Sequence, residues 1–128
     1  VLSITKGETV ETVYYFGSDI KNEKGEVIAA LDTDDTTGEG LETITLNPEE
    51  NSLIRYSVGS YSHLSKEYTE SFGSVGAQVT LYRGNEIIEV YELSDDASGN
   101  AWTVFELENG TLTKIDTTKT VGAINEIE

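Results

Sequence analysis

The sequence contains no cysteine and no methionine, and only one proline, one histidine and one tryptophan among 128 residues. Without cysteine, the chain forms neither a disulfide nor a thiolate metal site. Basic residues are also few, because 8 lysines and arginines stand against 24 aspartates and glutamates, for a net charge of −16. Nucleic acids and anionic membranes are bound through clustered basic residues, so this charge argues against both as partners. The longest apolar run, residues 27–31, is far too short for a membrane span.

The length and composition favour one folded domain. At 128 residues the chain lies within the commonest size range for a single domain. Hydrophobic residues make up 37% of it, which separates it from disordered acidic tails. Because no initiating methionine is present, we expect residues 1–128 to be a monomeric module of a longer extracellular protein. Residues 117–128 are expected to form a linker or a last edge strand.

Short runs of β-branched and aromatic residues dominate the sequence pattern. Clusters of Gly, Asn, Asp and Ser separate these runs at intervals of roughly 8–12 residues, which is typical of a sandwich or barrel. No stretch keeps the apolar spacing of a helix beyond two turns. The pattern predicts an all-β fold, an Ig-like antiparallel β-sandwich of about 7–9 strands. The candidate strands are residues 8–16, 27–31, 41–46, 53–61, 77–83, 86–93, 101–107 and 111–115. The polar segment 62–76 is expected to be an exposed loop.

Two tight turns predict β-hairpins. Gly84-Asn85 suits a type II′ turn, because glycine adopts the positive φ that the first position requires. The predicted register pairs Leu81 with Ile88 and Val79 with Val90 on the core face, and Tyr82 with Ile87 and Gln78 with Tyr91 on the other face.

The second turn is Asn109-Gly110, which favours type I′. Its expected register pairs Leu107 with Leu112 and Val104 with Ile115. Trp102 alternates with the apolar residues of the same strand, so we expect it in the core.

The densest charge cluster lies between two predicted strands. Asp32, Asp34, Asp35, Glu39 and Glu42 place five carboxylates within eleven residues. Calcium prefers six to eight oxygen ligands, so this loop is a candidate site for a structural calcium ion. The spacing differs from that of an EF-hand loop. In a chain this acidic, the same residues also fit a solvated loop that binds no metal.

Three segments together resemble a known group of proteins. They are LDTDDTTGEGLETI at 31–44, YSVGSYS at 56–62 and AWTVFELENGTLT at 101–113. In order and spacing they are similar to motifs of bacterial surface-protein modules related to the YfaP-like family of uncharacterised domains. The resemblance covers roughly residues 13–115, most of the chain. It departs from the family at Leu41, where relatives often have proline, and in residues 1–13, where an acidic segment common in relatives is not recognisable.

This resemblance implies a secreted Ig-like β-sandwich, of the kind found beside adhesion, sugar-binding or repeat domains. It implies no established activity. If the missing acidic segment completes a metal site in relatives, the site in this chain is incomplete or differently built.

Aromatic side chains supply the candidate ligand-binding residues. Sugars stack on exposed tyrosine rings, and Tyr82 and Tyr91 form one candidate pair on the less apolar hairpin face. Tyr61, His63 and Tyr68, around the polar loop, form another. The alternative for all of these tyrosines is ordinary packing with the hydroxyl at the surface.

The sequence carries no catalytic signature. It has no Gly-x-Ser-x-Gly motif and no phosphate-binding loop, and a lone histidine near serines does not make a triad. We therefore expect a protein that is not an enzyme. The expected function is that of an extracellular module that binds carbohydrate or mediates adhesion, with a polysaccharide or a host or cell-surface molecule as its partner. The alternative is a spacer or assembly module of a bacterial surface protein with no small-molecule ligand.

Overall fold

A computed structural model describes residues 2–13, 19–33, 43–47, 51–60 and 72–122 of the chain. In these ranges the fold is all-β, with ten strands in three antiparallel sheets and one short 3-10 turn at Phe72–Val75. The strands are β1 (Leu2–Lys6), β2 (Thr9–Val13), β3 (Asp19–Lys21), β4 (Val27–Thr33), β5 (Thr43–Leu46), β6 (Leu53–Gly59), β7 (Gln78–Arg83), β8 (Glu86–Glu92), β9 (Ala101–Glu108) and β10 (Thr111–Lys119). The sheets have the orders β10-β9-β6-β1-β2, β3-β4-β5 and β7-β8.

The five-stranded sheet buries one of its two faces. Residues directly opposite each other in an antiparallel ladder point to the same face. The ladder pairs Leu2 with Tyr56, Ile4 with Ile54, Ile54 with Leu107 and Tyr56 with Phe105. These apolar side chains therefore form a single face, and the two smaller sheets supply the residues that pack against it. This layering confirms the predicted all-β sandwich.

The core consists of two joined clusters. The first lies between β1, β2, β6 and the β3-β4-β5 sheet, and contains Leu2, Ile4, Val13, Ile20, Ile28, Ala29 and Ile54. The second lies between β9 and the β7-β8 sheet, and contains Phe72, Tyr91, Leu93, Trp102, Val104 and Phe105. Tyr56 and Leu107 are half-buried and pack against both clusters, so the core is continuous. The predicted core position of Trp102 is confirmed.

Two described strands were not among the predicted ones. In β1 the apolar residues alternate, with Leu2 and Ile4 buried against β6. In β3 only Ile20 is buried, and three residues are too few for a periodic pattern. With ten strands in the described ranges, the expected 7–9 is an undercount.

The β7–β8 hairpin has the predicted turn but a different register. Gly84 has φ +60°, and Asn85 is not among the residues of positive φ, as a type II′ turn requires. The pairing of Tyr82 with Ile87 is confirmed, but a β-bulge follows it, and Leu81 pairs with Glu89 instead of Ile88. Beyond the bulge the ladder pairs Thr80 with Val90, Val79 with Tyr91 and Gln78 with Glu92. The predicted pairs beyond Tyr82–Ile87 are therefore wrong, because one extra residue moves the following side chains of β8 to opposite faces.

The β9–β10 hairpin keeps its predicted turn and first apolar pair. Asn109 and Gly110 both have positive φ, at 48° and 81°, as a type I′ turn requires. Leu107 pairs with Leu112, as predicted. The ladder then shifts between Lys114 and Thr117, so the predicted pair of Val104 with Ile115 falls at a bulge.

The described end of segment 62–76 is only partly exposed, since Ser74 and Gly76 are exposed whereas Phe72 and Gly73 are buried. Phe72 is fully buried in the second cluster, and the backbone N–H of Gly73 donates to the carbonyl oxygen of Ala97 at 3.0 Å. A Cβ on Gly73 would lie 2.3 Å from the carbonyl oxygen of Asp95, so only glycine allows the two loops to approach this closely. Residues 62–71 lie outside the described part of the chain.

The end of β10 is held by Asn100, which is buried. The Asn100 backbone N–H donates to the carbonyl of Lys119 at 3.0 Å. Its side chain donates to the carbonyl of Val121 and accepts from the Val121 N–H, both at 2.8 Å. The backbone N–H of Ser60 donates to the carbonyl of Asn100 at 2.9 Å. Residues 117–119 thus belong to an edge strand. The segment after it, 120–122, is held to Asn100 by the two hydrogen bonds at Val121.

In the described ranges, no helix has the length and apolar character that crossing a membrane requires.

Candidate functional site

The side of the β7-β8 sheet that faces away from the core carries exposed apolar side chains. We call this surface the ribbon face; its residues are Gln78, Thr80 and Tyr82 of β7 and Ile87, Val90 and Glu92 of β8. Tyr82 is 57% exposed, Ile87 55% and Val90 43%. Tyr82 lies opposite Ile87, and the neighbouring pair on the same face is Thr80 with Val90. The three apolar side chains therefore lie in one patch, where directly opposed Cβ atoms are about 5 Å apart.

The bulge in β8 creates this surface. In the predicted register Val90 would point into the core and Tyr91 outward. The extra residue between Ile87 and Glu89 reverses both, so that Val90 becomes exposed and Tyr91 buried. No local signal predicts the bulge, because Ile87 and Ile88 are both apolar and either fits the core-facing position.

Tyr91 is consequently a core residue, which corrects the prediction that it shares an exposed face with Tyr82. Only 4% of it is exposed, and its ring stacks on Phe105 with the ring centroids 5.5 Å apart. Phe105 in turn stacks on Tyr56, also at 5.5 Å. Burial raises the pKa of the Tyr91 phenol above its ordinary value of 10.0, and the negative charge of Glu89 raises it further. A ring stacked in this way is not available to a ligand at the surface.

One acidic residue shares the ribbon face with the apolar patch. Glu92 lies on this face and accepts a hydrogen bond from the Gln78 amide at 3.2 Å. Glu86 and Glu89 are also exposed, but they pair with Arg83 and Leu81, whose side chains point to the opposite face. The ribbon face therefore carries one negative charge, on a chain that is strongly negative overall.

Most other predicted site residues lie outside the described ranges. Of the candidate calcium ligands, the backbone of Asp32 belongs to β4, whereas Asp34, Asp35, Glu39 and Glu42 fall outside. The candidate ligand residues Tyr61, His63 and Tyr68 also fall outside. Among the residues that the structure describes, no group of three or more His, Asp or Glu side chains is placed to hold a metal ion.

A polar groove lies on the other layer, on the side of the five-stranded sheet that faces away from the core. It is a shallow, open groove of about 330 Å³, lined by Leu53, Glu106, Glu108, Asn109, Thr111 and Thr113. Beside it, the Arg55 guanidinium donates from Nε and Nη2 to the Glu106 Oε1 atom, at 3.0 and 2.8 Å. Sequence reasoning missed this groove, although one signal was present: Glu106 and Glu108 alternate with buried or half-buried apolar residues of β9.

Three comparisons with known proteins found no match for this chain. No family model matches it, and neither the curated proteins nor the solved structures give a significant match. The resemblance to YfaP-like surface modules therefore stays a prediction from the sequence motifs.

Proposed function

We propose that this chain is a non-catalytic extracellular adhesion module, Ig-like in its sandwich, and that its ribbon face contacts a partner protein. The observation that supports this proposal is the patch of Tyr82, Ile87 and Val90, three large apolar side chains exposed side by side. Single exposed apolar residues are ordinary, but adjacent ones on a regular sheet face are typical of interaction surfaces. A tyrosine between aliphatic side chains is also the composition found at the centres of protein interfaces.

The charges around the patch define the chemistry of the partner. Glu92 lies at one end of the patch and the chain as a whole is strongly acidic, so a complementary surface is apolar in the middle and basic around it. A second copy of this chain is a poor partner, because two molecules of net charge −16 repel each other. The proposal therefore commits to a basic partner protein.

The predicted pair of sugar-stacking residues, Tyr82 and Tyr91, is reduced to Tyr82 alone, because Tyr91 is buried. The remaining sequence-based expectations belong to this proposal: a secreted or cell-surface location, and a structural calcium ion in the loop that follows β4. In the alternative, a spacer or assembly module, the ribbon face contacts a neighbouring domain rather than a separate partner.

The test is a solid-phase binding panel of purified extracellular-matrix proteins and glycans, read at low and at physiological salt. We expect retention on basic proteins that weakens as salt rises, since salt screens the attraction between a basic partner and this acidic chain. Tyr82→Ala and Ile87→Ala should each reduce that binding by about tenfold or more. Val27→Ala is the matched control, because Val27 is similarly exposed, at 41%, but lies on β4.

Circular dichroism and thermal melting establish that each variant is folded. Binding that survives the double substitution of Tyr82 and Ile87 contradicts the proposed surface. Retention on glycans alone favours a carbohydrate-binding module instead. If nothing on the panel is retained at low salt, the adhesion proposal fails and the spacer alternative is favoured.

A further inference from the structure

We infer that the groove on β6, β9 and β10 is a binding site for a neutral saccharide. It lies on the outer side of the five-stranded sheet, whereas the ribbon face belongs to the other layer. The inference therefore does not rest on the protein contact proposed above. The groove is open to solvent and has a volume of about 330 Å³, so a ligand there would lie on the sheet surface with one side in water.

The register places the groove residues in two rows across three strands. One row runs from Leu53 through Glu108 to Thr111, and the next from Arg55 through Glu106 to Thr113. Adjacent strands are about 4.8 Å apart, and residues two apart along a strand are separated by about 7 Å. The two glutamates and two threonines thus form a rectangle of about 5 by 7 Å, on the scale of one sugar ring.

The polar groups of the groove match the hydroxyls of a sugar. Both hydrogen bonds from Arg55 end on Oε1 of Glu106, which leaves Oε2 of that carboxylate to accept from a ligand hydroxyl. Glu108 adds a second exposed acceptor, and the hydroxyls of Thr111 and Thr113 both donate and accept. Carboxylates that accept from hydroxyls form the stronger, charge-assisted class of hydrogen bond.

Two side chains of the groove, Glu106 and Asn109, are held in place by hydrogen bonds within the protein. Arg55 restrains the Glu106 carboxylate by its two bonds. The Asn109 side chain accepts the backbone N–H of Asn51 at 2.9 Å, which fixes its amide at the end of the groove. Such restraint reduces the side-chain entropy that binding would otherwise cost.

Charge and apolar surface narrow the ligand class further. Glu106 and Glu108 outweigh the single guanidinium, so phosphate, sulfate and uronic-acid groups are repelled. Leu53 is half-buried at the β6 side of the groove and offers an apolar surface to the C–H groups of a sugar ring. The combination of acceptors, hydroxyls and one apolar side chain fits a neutral polyhydroxylated ligand.

The experiment is an amide chemical-shift titration of the folded chain with neutral oligosaccharides of glucose, mannose, galactose and N-acetylglucosamine. Parallel arms use a sulfated oligosaccharide and calcium chloride alone. We expect at least one neutral sugar to shift the amides of Glu106–Thr113 and of Leu53, and the sulfated sugar to shift none of them.

Substitutions then test the individual contacts. Glu108→Gln and Thr113→Val should each weaken the affinity for that sugar, Glu108→Gln by about tenfold or more because it loses a charge-assisted bond. Glu23→Gln is the matched control, an exposed glutamate in the turn between β3 and β4 of the other layer. Its affinity should equal that of the parent.

Four results overturn the inference. No neutral sugar shifts the groove amides at millimolar concentration, the shifts map to the ribbon face, Glu108→Gln and Thr113→Val bind as the parent does, or calcium shifts these amides while no sugar does. Because the readout is specific to the groove, loss of protein binding at the ribbon face leaves it unaffected.

Discussion

The buried indole N–H of Trp102 is paired with Asp116, which lies in the bulge of β10. Trp102 is fully buried, yet its Nε1–H donates to the Oδ1 atom of Asp116 at 2.8 Å. Asp116 reaches it from the bulge in β10, where its φ is +53°. Aspartate tolerates this left-handed conformation better than most residues, so one side chain serves both the bulge and the indole.

Asp116→Ala should therefore destabilise the protein by about 1–3 kcal/mol, because it leaves the indole N–H unpaired and places alanine at positive φ. Asp116→Asn keeps an acceptor and tolerates the same conformation, so it should cost clearly less. Urea denaturation monitored by tryptophan fluorescence measures both. Equal stability of the alanine and asparagine variants would contradict the assigned hydrogen bond.

Tyr91 predicts a loss of stability in alkali. Its phenol has a raised pKa in the folded state, from burial first and from Glu89 second. As pH rises past about 10, the unfolded chain loses this proton before the folded one does, which favours unfolding. The stabilising contribution is thus complete below the unfolded pKa and is lost as pH rises through the folded one.

Tyr91→Phe should flatten the decline of unfolding free energy between about pH 9 and 12, measured by urea titration at each pH. Tyr82→Phe, which changes an exposed ring and leaves Tyr91 in place, should keep the parent's decline. If both variants decline as the parent does, Tyr91 is not the group responsible.

At the scale of strands and turns, the turn types could be predicted from the sequence, whereas the pairing of distant strands could not. The Gly84-Asn85 and Asn109-Gly110 turns followed from the φ values that their residues adopt. Strand β1 is not predicted, because its alternation rests on two apolar residues, Leu2 and Ile4, and its pairing with β6 joins distant segments. The bulge beside Ile88 was missed because two adjacent isoleucines allow either register, and the ribbon face depends on that bulge.

The candidate site was accordingly predicted only in part. Tyr82 was assigned to the exposed face from its pairing with Ile87, and the structure confirms that position. Val90 was assigned to the core and Tyr91 to the surface, and both assignments reverse across the bulge. The groove was not foreseen because it needs β6 beside β9, a contact between distant segments.

Gly99 lies where loop 94–100 contacts the end of β10. Its φ is +88°, and a Cβ there would lie 2.4 Å from the carbonyl oxygen of Lys119. Gly25 has a similar φ of +81° but faces open space. Gly25→Ala should cost about 1–2 kcal/mol for the left-handed backbone alone, and Gly99→Ala more, because it also separates Lys119 from Asn100.

Thermal melts of the two glycine variants measure the difference. Faster hydrogen exchange at the Val121 amide in Gly99→Ala would identify the separation directly, since that amide donates to Asn100 in the parent. A Gly99→Ala protein no less stable than Gly25→Ala would contradict the close approach.

For the whole molecule, the net charge of −16 sets the response to ions. Any salt should raise the melting temperature somewhat by screening repulsion among the carboxylates. If the acidic loop binds calcium, millimolar calcium chloride should add several degrees beyond sodium chloride of equal ionic strength, and chelation should reverse it.

Substitutions separate a bound ion from general screening. The double variant Asp34→Asn with Asp35→Asn should abolish the calcium increment, whereas Glu86→Gln with Glu89→Gln, the same change in charge on β8, should retain it. Equal melting in calcium and in matched sodium chloride would end the calcium proposal.

The position of β6 has a consequence for how the chain folds. Strands β2–β5 lie between β1 and β6 in the sequence, and β7 and β8 lie between β6 and β9, so each of the two ladders joins segments that are far apart in the chain. The hairpins β1–β2, β7–β8 and β9–β10 are local and form on the microsecond scale, while the completed sheet belongs to the slower class of non-local topologies. Until then both edges of β6 are unpaired, and repulsion between nascent molecules of the same strong negative charge opposes their edge-to-edge association.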